Sequence, residues 1–473
     1  MGGIILLSVL GAATLISGVF NKRKILLPLT LFGLAITFLL NLGEWRGAVP
    51  FFSDLIAPYN NGMLDFDNFA FAFTSLLLFA SMLVLALSQF QVKEDLEHAG
   101  EFYAILLFTI VGGVVMVSFS NLVMLFIGIE ILSISLYVMA GSRKYNAQSN
   151  EASLKYFLLG SFASGFLLLG IALIYGTTGS LDLPGISTYI TVNANSLPFL
   201  TVLGIMMIIM GMAFKVSAAP FHNWAPDVYQ GSPTVITAFM ATVVKIAAIA
   251  AFLRLMMGSF AAAQGWWTIL LSVIAILTMT IGNITALYQT NFKRLMAYSG
   301  ISHAGYLLIG IVALTYDNGS FSSSGAILYY TFAYAMASIA AFAVLLVIAG
   351  NTGDSSISAF NGLAKRDPLL AVSMTVCMLS LAGIPPLAGF FGKYYLFALA
   401  INKGLWVLAA FAVLNSLIGI YYYFIVFINM FVKDKQEGMP STSSPTAKAV
   451  IAICILLTVL AGLYPEAILK VFM

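Results

Sequence analysis

Charge is scarce in this sequence. Asp, Glu, Lys and Arg make up only 8% of its 473 residues, against about 25% in an ordinary soluble domain. A normal solvated surface is thereby excluded. Cysteine is scarcer still. Cys377 and Cys454 each stand alone in an apolar run, which leaves no CxxC, no iron–sulfur spacing and no disulfide framework. The three histidines, His98, His222 and His303, lie far apart and suggest no metal site. Neither GxGxxG nor a phosphate-binding P-loop occurs, so binding of nicotinamide, flavin or ATP by this chain has no support. The net charge of +3 says little about partners and nothing points to nucleic acid.

What is abundant is apolar sequence, at 61% hydrophobic residues. A helix crossing a bilayer needs about 20 apolar residues in succession. Fourteen stretches qualify: 3–20, 26–42, 68–90, 102–119, 121–140, 153–175, 199–220, 235–257, 266–288, 299–316, 325–349, 369–399, 403–431 and 446–471. The chain reads as an all-α polytopic membrane protein forming a single membrane domain, residues 1–473. The first span lacks a basic segment before it. Lys22, Arg23 and Lys24 follow it instead, the pattern of an uncleaved helix that starts outside.

The positions of the basic residues test the count. Fourteen fall on the expected cytoplasmic side: Lys22, Arg23, Lys24, Lys93, Arg143, Lys144, Lys155, Lys293, Arg294, Lys365, Arg366, Lys433, Lys435 and Lys448. Arg46, Arg254, Lys403 and Lys470 fall on the other side, and Lys215, Lys245 and Lys393 inside the membrane. This bias supports fourteen helices with both termini outside. The loop 43–67, with Glu44, Asp54, Asp65 and Asp67, reads as solvated. The loops 176–198 and 433–448 read as polar connections. Trp406, Tyr421, Tyr422 and Tyr423 fit interfacial belts.

The chain is organised around Met210 to Thr234, MGMAFKVSAAPFHNWAPDVYQGSPT. Lys215 stands at membrane depth, where a lysine costs roughly 2.5–3.5 kcal/mol on insertion scales. Pro220, Pro226 and Pro233 follow, and each removes a backbone donor. Such a span needs water-filled or protein-filled surroundings. The plain alternative is that Lys215 snorkels to the surface along its apolar stem. A second span, LSLAGIPPLAGFFGKYYLF from Leu379 to Phe397, repeats the combination with Pro385, Pro386 and Lys393. Interrupted spans at matching places suggest two inverted-topology repeats of five helices, 102–257 and 266–431, with a transport site at each break. The alternative is two unrelated proline kinks.

Glu130 is the acidic residue set mid-span, in LVMLFIGIEILSISLYVMA, and Lys215 is its natural partner. At about 4 Å and an effective dielectric near 20, that pair is worth roughly 4 kcal/mol. Partner in, the lysine stays charged; partner out, desolvation favours the neutral amine. A protonated acid bonded to a backbone carbonyl is the plain alternative for Glu130. Lys245 has no acidic residue within two turns and suits a relay. Lys393 lies nearer its helix end, where snorkelling competes. His222 and His303 titrate near neutral pH and are relay candidates, although a lone interfacial histidine is more often merely solvated. Lys155, four residues after Glu151, reads as an ordinary surface ion pair.

Glu130, AFKVSAAPFHNWAPDVYQGSPT, VVKIAA, NFKRLMAYSGISHAGY and AGIPPLAGFFGKYYLF together resemble the antiporter-like, proton-translocating subunits of respiratory complex I, the NADH–quinone oxidoreductase. The resemblance runs from about 102 to 431. It implies fourteen helices in two inverted repeats with broken seventh and twelfth helices. It implies a Glu130–Lys215 charge pair on helices five and seven, Lys245 as central relay, Lys393 as terminal residue, and His303 on helix ten between the two half-channels. The end of the chain at Met473, right after helix fourteen, and Lys393 in place of the usual glutamate separate it from the L and M types. The resemblance also implies partners of the A, H, J, K, L and M types in a bacterial inner membrane. NADH, FMN, iron–sulfur clusters and a quinone would be held by other subunits. Its relatives leave three alternatives: a Na⁺/H⁺ antiporter subunit, a membrane-bound hydrogenase subunit, or a purely structural membrane subunit.

Overall fold

A computed structural model describes residues 2–20, 23–48, 62–89, 98–315, 322–350, 354–434 and 444–472. Their regular structure is helical, and among the described residues only isolated bridges stand in place of strands. In chain order the helices are α1 (Gly2–Val19), α2 (Arg23–Trp45), α3 (Asn68–Ala86), α4 (Ala99–Ser118), α5 (Leu122–Ala140) and α6 (Ala147–Thr178). Then come α7 (Leu183–Val192), α8 (Phe199–Lys215), α9 (Trp224–Gly231), α10 (Thr234–Gly258), α11 (Gln264–Ala286) and α12 (Phe292–Val312). The last are α13 (Ser323–Ala349), α14 (Pro368–Ala382), α15 (Ala388–Asn402), α16 (Trp406–Phe431), α17 (Pro445–Leu463) and α18 (Pro465–Phe472).

Among the described residues, twelve helices are long and apolar enough to cross a membrane. The remaining two of the fourteen expected spans fall where breaks were read from the prolines. There the shorter apolar helices α8 and α14 are each followed by a second piece, α9 and α15. Local chemistry fixes where helices begin and end. Asn121, Asn146 and Asn291 accept hydrogen bonds from the first-turn amides of α5, α6 and α12, as N-caps do. Asp367 caps α14 just before Pro368, a residue whose missing N–H costs nothing in a first turn. Gly383, at φ 83°, ends α14 in the left-handed region that a side chain disfavours.

The chain divides into two units. The first comprises Met1–Leu85, Val92–Ser217 and Val243–Leu271. In it α1 packs on α2 and α4, α4 on α5, and α6 between α5 and α8. The second comprises Ala86–Gln91, Ala218–Thr242 and Ser272–Met473. Here α13 packs against α14, α15 and α17, and α12 against α9 and α15. Both α12 and α13 are almost wholly buried.

Several sequence expectations change. The segment 176–198 is not simply a polar loop, because Asp182 caps the ten-residue helix α7 within it. Asp65 and Asp67 do more than solvate a loop. The buried Arg254 guanidinium reaches Asp67 at 3.0 Å and Asp65 at 3.3 Å, and donates to the Phe119 carbonyl at 2.8 Å. Tyr422 and Tyr423 are buried and not interfacial, whereas Tyr421 and Trp406 are exposed as expected. Lys155 does pair with Glu151, at 2.7 Å. Asp54, Lys22, Lys93 and Lys435 lie outside the described residues.

Candidate functional site

All three membrane-depth lysines are buried: Lys215 is 6% exposed, Lys245 3% and Lys393 5%. Snorkelling is thereby ruled out for Lys215 and Lys393. Each is tied to a helix irregularity, Lys215 and Lys245 by position and Lys393 by the reach of its side chain. Lys215 is the last residue of α8, at the end where unsatisfied carbonyls favour a cation by about 0.3–1 kcal/mol or more. Lys393 belongs to α15 but reaches back across the second break. Its ammonium donates to the carbonyl of Ala382, the last residue of α14, at 2.8 Å. The two breaks thus use one device. In the first the lysine terminates the leading half-helix, and in the second it bonds that half-helix's final carbonyl. Lys245 follows a π-helical turn, Met240–Val244, a distortion that loosens the regular ladder and recurs at functional sites.

In the first unit, Glu130, Ser133 and Tyr137 share one face of α5 at helical spacing. The ammonium of Lys215 donates to Ser133 Oγ and lies 5.9 Å from the centre of the Tyr137 ring. Glu130 Oε1 accepts from Ser164 Oγ of α6 at 2.5 Å. The expected direct contact between Glu130 and Lys215 is absent. Among the described residues no contact within 4 Å joins the two and a hydroxyl meets each charge, while Glu130 still acts on Lys215 through space. Sequence reasoning missed Ser133 and Ser164. Their signal was the hydroxyl one turn beyond Glu130 and a serine in the next apolar span.

In the second unit, His303 on α12 is buried. Its Nδ1 shares a hydrogen bond with the Tyr330 hydroxyl at 2.6 Å, and its Nε2 one with the Tyr423 hydroxyl at 3.0 Å. Tyr423 in turn bonds Ser299 Oγ at 2.5 Å. A chain therefore runs from Ser299 through Tyr423 and His303 to Tyr330, with α12, α13 and α16 all contributing. A merely solvated histidine does not describe it. Beside it lies a small cavity lined by His303, Tyr330, Tyr334, Ser380 and Gly389. That is room for one water. Lys393 also donates to Ser416 Oγ at 2.9 Å and lies 5.0 Å from the Tyr306 ring centre. Tyr330, Tyr423 and Ser416 were not read from the sequence, although Ser416 and Tyr423 are seven apart on one face of α16.

His222 sits apart, in the turn between α8 and α9, and is partly exposed. Among the described residues no hydrogen bond joins it to His303 or Lys393. Lys293 and Arg294, expected on the cytoplasmic side, also hold α9 and the residue that follows it. Arg294 meets Asp227 at 2.5 Å, and the buried Lys293 donates to the Ser232 carbonyl at 2.7 Å.

Amines buried at helix interruptions in an otherwise apolar bundle mark a polytopic membrane subunit built for ion translocation. The chain belongs to the family described as NADH:quinone oxidoreductase/Mrp antiporter, transmembrane, which it matches over residues 119–419. A relative from Cytophaga hutchinsonii, named NADH-quinone oxidoreductase subunit N, is 42% identical over 473 residues and covers 100% of both chains. Among solved structures, a chain of respiratory complex I from Thermus thermophilus is 33% identical with a TM-score of 0.82, covering 99% of this chain and 98% of that one. A chain of an archaeal membrane-bound sulfane sulfur reductase is 25% identical with a TM-score of 0.83, covering 99% and 96%.

Proposed function

We propose that this chain is the subunit-N-type member of an NADH–quinone oxidoreductase and carries protons across the membrane while electrons pass from NADH to quinone elsewhere in the complex. The observation that carries this reading is the burial of three lysines, one ending a half-helix, one following a π-helical turn and one bonded across a helix break. A lysine held inside an apolar span is costly and marks an ion pathway.

Protons pass along polar side chains and water through Lys215, Lys245 and Lys393, with Glu130 setting the charge of Lys215 and the His303 chain linking hydroxyls toward Lys393. His222, half-buried at the first break, stands at an approach to the path. The halves are 102–257 and 266–431. A matched detail supports that repeat. In the first half the α5 cap Asn121 bridges to Asp182, and in the second the α12 cap Asn291 bridges to Ser356. Both termini lie on the periplasmic side of a bacterial inner membrane. The partners are the A, H, J, K, L and M types of membrane subunit. NADH, FMN, iron–sulfur clusters and quinone are bound by other chains.

The test is NADH-driven proton uptake by the whole complex in sodium-free proteoliposomes. Lys245→Ala is expected to lower the pumping rate at least about tenfold, the equivalent of ~1.4 kcal/mol in a barrier. Lys365→Ala should pump normally, because Lys365 lies exposed on the short helix Leu363–Arg366, facing Asp434 at 3.6 Å. Normal pumping by an assembled Lys245→Ala complex would refute the path. A need for sodium would favour the antiporter reading.

A further inference from the structure

We infer that Ser133 and Ser164 are the alternate partners of Lys215 and Glu130, forming a hydroxyl rest position in which the two charges stand apart. The inference rests on the proton-path reading and deepens it.

Each hydroxyl is oriented to suit the charge it meets. Ser133 Oγ donates its hydrogen back to the Ile129 carbonyl, which leaves its lone pairs free for the ammonium of Lys215. Ser164 Oγ gives its hydrogen to the carboxylate of Glu130. Each serine thus does what the opposite ion would do, as a neutral group. A bond from a neutral hydroxyl to an ion is weaker than contact between two desolvated ions. The separated state is therefore held without being locked.

The geometry also gives the route between states. Residues three apart on a helix are surface neighbours, so Glu130 and Ser133 present two stations one turn apart on α5. Lys215 is a flexible four-carbon stem fixed at the end of α8. Rotation of that stem exchanges Ser133 for Glu130, while Ser164 releases the carboxylate. The exchange hands over hydrogen bonds only, and no covalent bond forms or breaks. The Tyr137 and Phe214 rings, 5.9 and 6.0 Å from the ammonium, line the seat with π faces that suit a cation.

The test uses the assembled complex. Ser133→Ala removes the rest position. A density map of that variant is expected to show the Lys215 ammonium in contact with Glu130, and pumping in proteoliposomes should fall about tenfold. Ser133→Thr keeps a hydroxyl and should restore pumping to within about twofold. Ser164→Ala, on another helix, should likewise bring the carboxylate onto the lysine, and it carries the test if Ser133→Ala fails to assemble. Lys215 left in place in the Ser133→Ala map, or wild-type pumping by that variant, overturns the inference. So does failure of threonine to rescue. If Ser133→Ala pumps normally while Lys215→Ala does not, the hydroxyl seat is wrong and the proton path stands. If Lys215→Ala itself pumps, the path is wrong.

Discussion

Lys215→Ala is expected to abolish proton pumping by the assembled complex and leave NADH oxidation by a soluble artificial acceptor close to normal. The ammonium ends α8 inside the protein, at 6% exposure, with Ser133 as its bonded partner and Glu130 one turn away. Alanine removes the group that changes charge and keeps a good helix former at the end of the helix. The loss should therefore fall on transport more than on folding. The electron-transfer centres lie on other chains in the proposed complex, so oxidation that bypasses quinone should survive. The measurement pairs a vesicle proton-uptake trace with an artificial-acceptor assay on the same preparation. Pumping within about twofold of the wild type would remove Lys215 from the path, because loss of an essential relay costs at least about tenfold.

Lys393→Arg is expected to separate holding a charge from moving a proton. Arginine can still donate to the Ala382 carbonyl and to Ser416, the two bonds that Lys393 makes at 2.8 and 2.9 Å. Its guanidinium, however, stays charged at any pH a cell meets. The complex should assemble with a normal subunit content and pump at least about tenfold more slowly. Lys393→Ala should add a structural defect, because the final carbonyl of α14 loses its donor next to Gly383. Native gels measure the assembly and proteoliposomes the pumping. Full pumping by the arginine variant would mean that Lys393 serves only to hold the broken helix.

Where the sequence was readable, it was readable because membranes make some costs one-dimensional. An apolar run long enough to span, a lysine inside it and prolines beside that lysine are all visible without knowing any contact. That is why the fourteen spans, both breaks and the three lysines could be placed in advance. Burial of Lys393 could not, because the reach of its stem back to Ala382 depends on how the chain turns between Gly383 and Leu387. Hydroxyls were harder still. Ser133, Ser164, Ser416 and Tyr330 are ordinary residues in an apolar helix, so only their spacing could have marked them and their partners could not be read. Tyr422 and Tyr423 were assigned to the interface by composition alone. Their helical phase places Tyr422 with Asn283 and Tyr423 with His303, while Tyr421 between turns is exposed. The Glu130–Lys215 pair was inferred from chemistry that permits it. The structure shows the same two groups bonded to separate serines, a partner choice that chemistry alone did not dictate.

The most direct measurement is a density map of the whole complex in a lipid bilayer, fine enough to show ordered water. The account predicts water beside the ammonium groups of Lys215, Lys245 and Lys393 at the depth of the hydrocarbon core, and one water against His303, Tyr330 and Ser380. Dry packing around all three amines, or their displacement to the lipid headgroups, would contradict it.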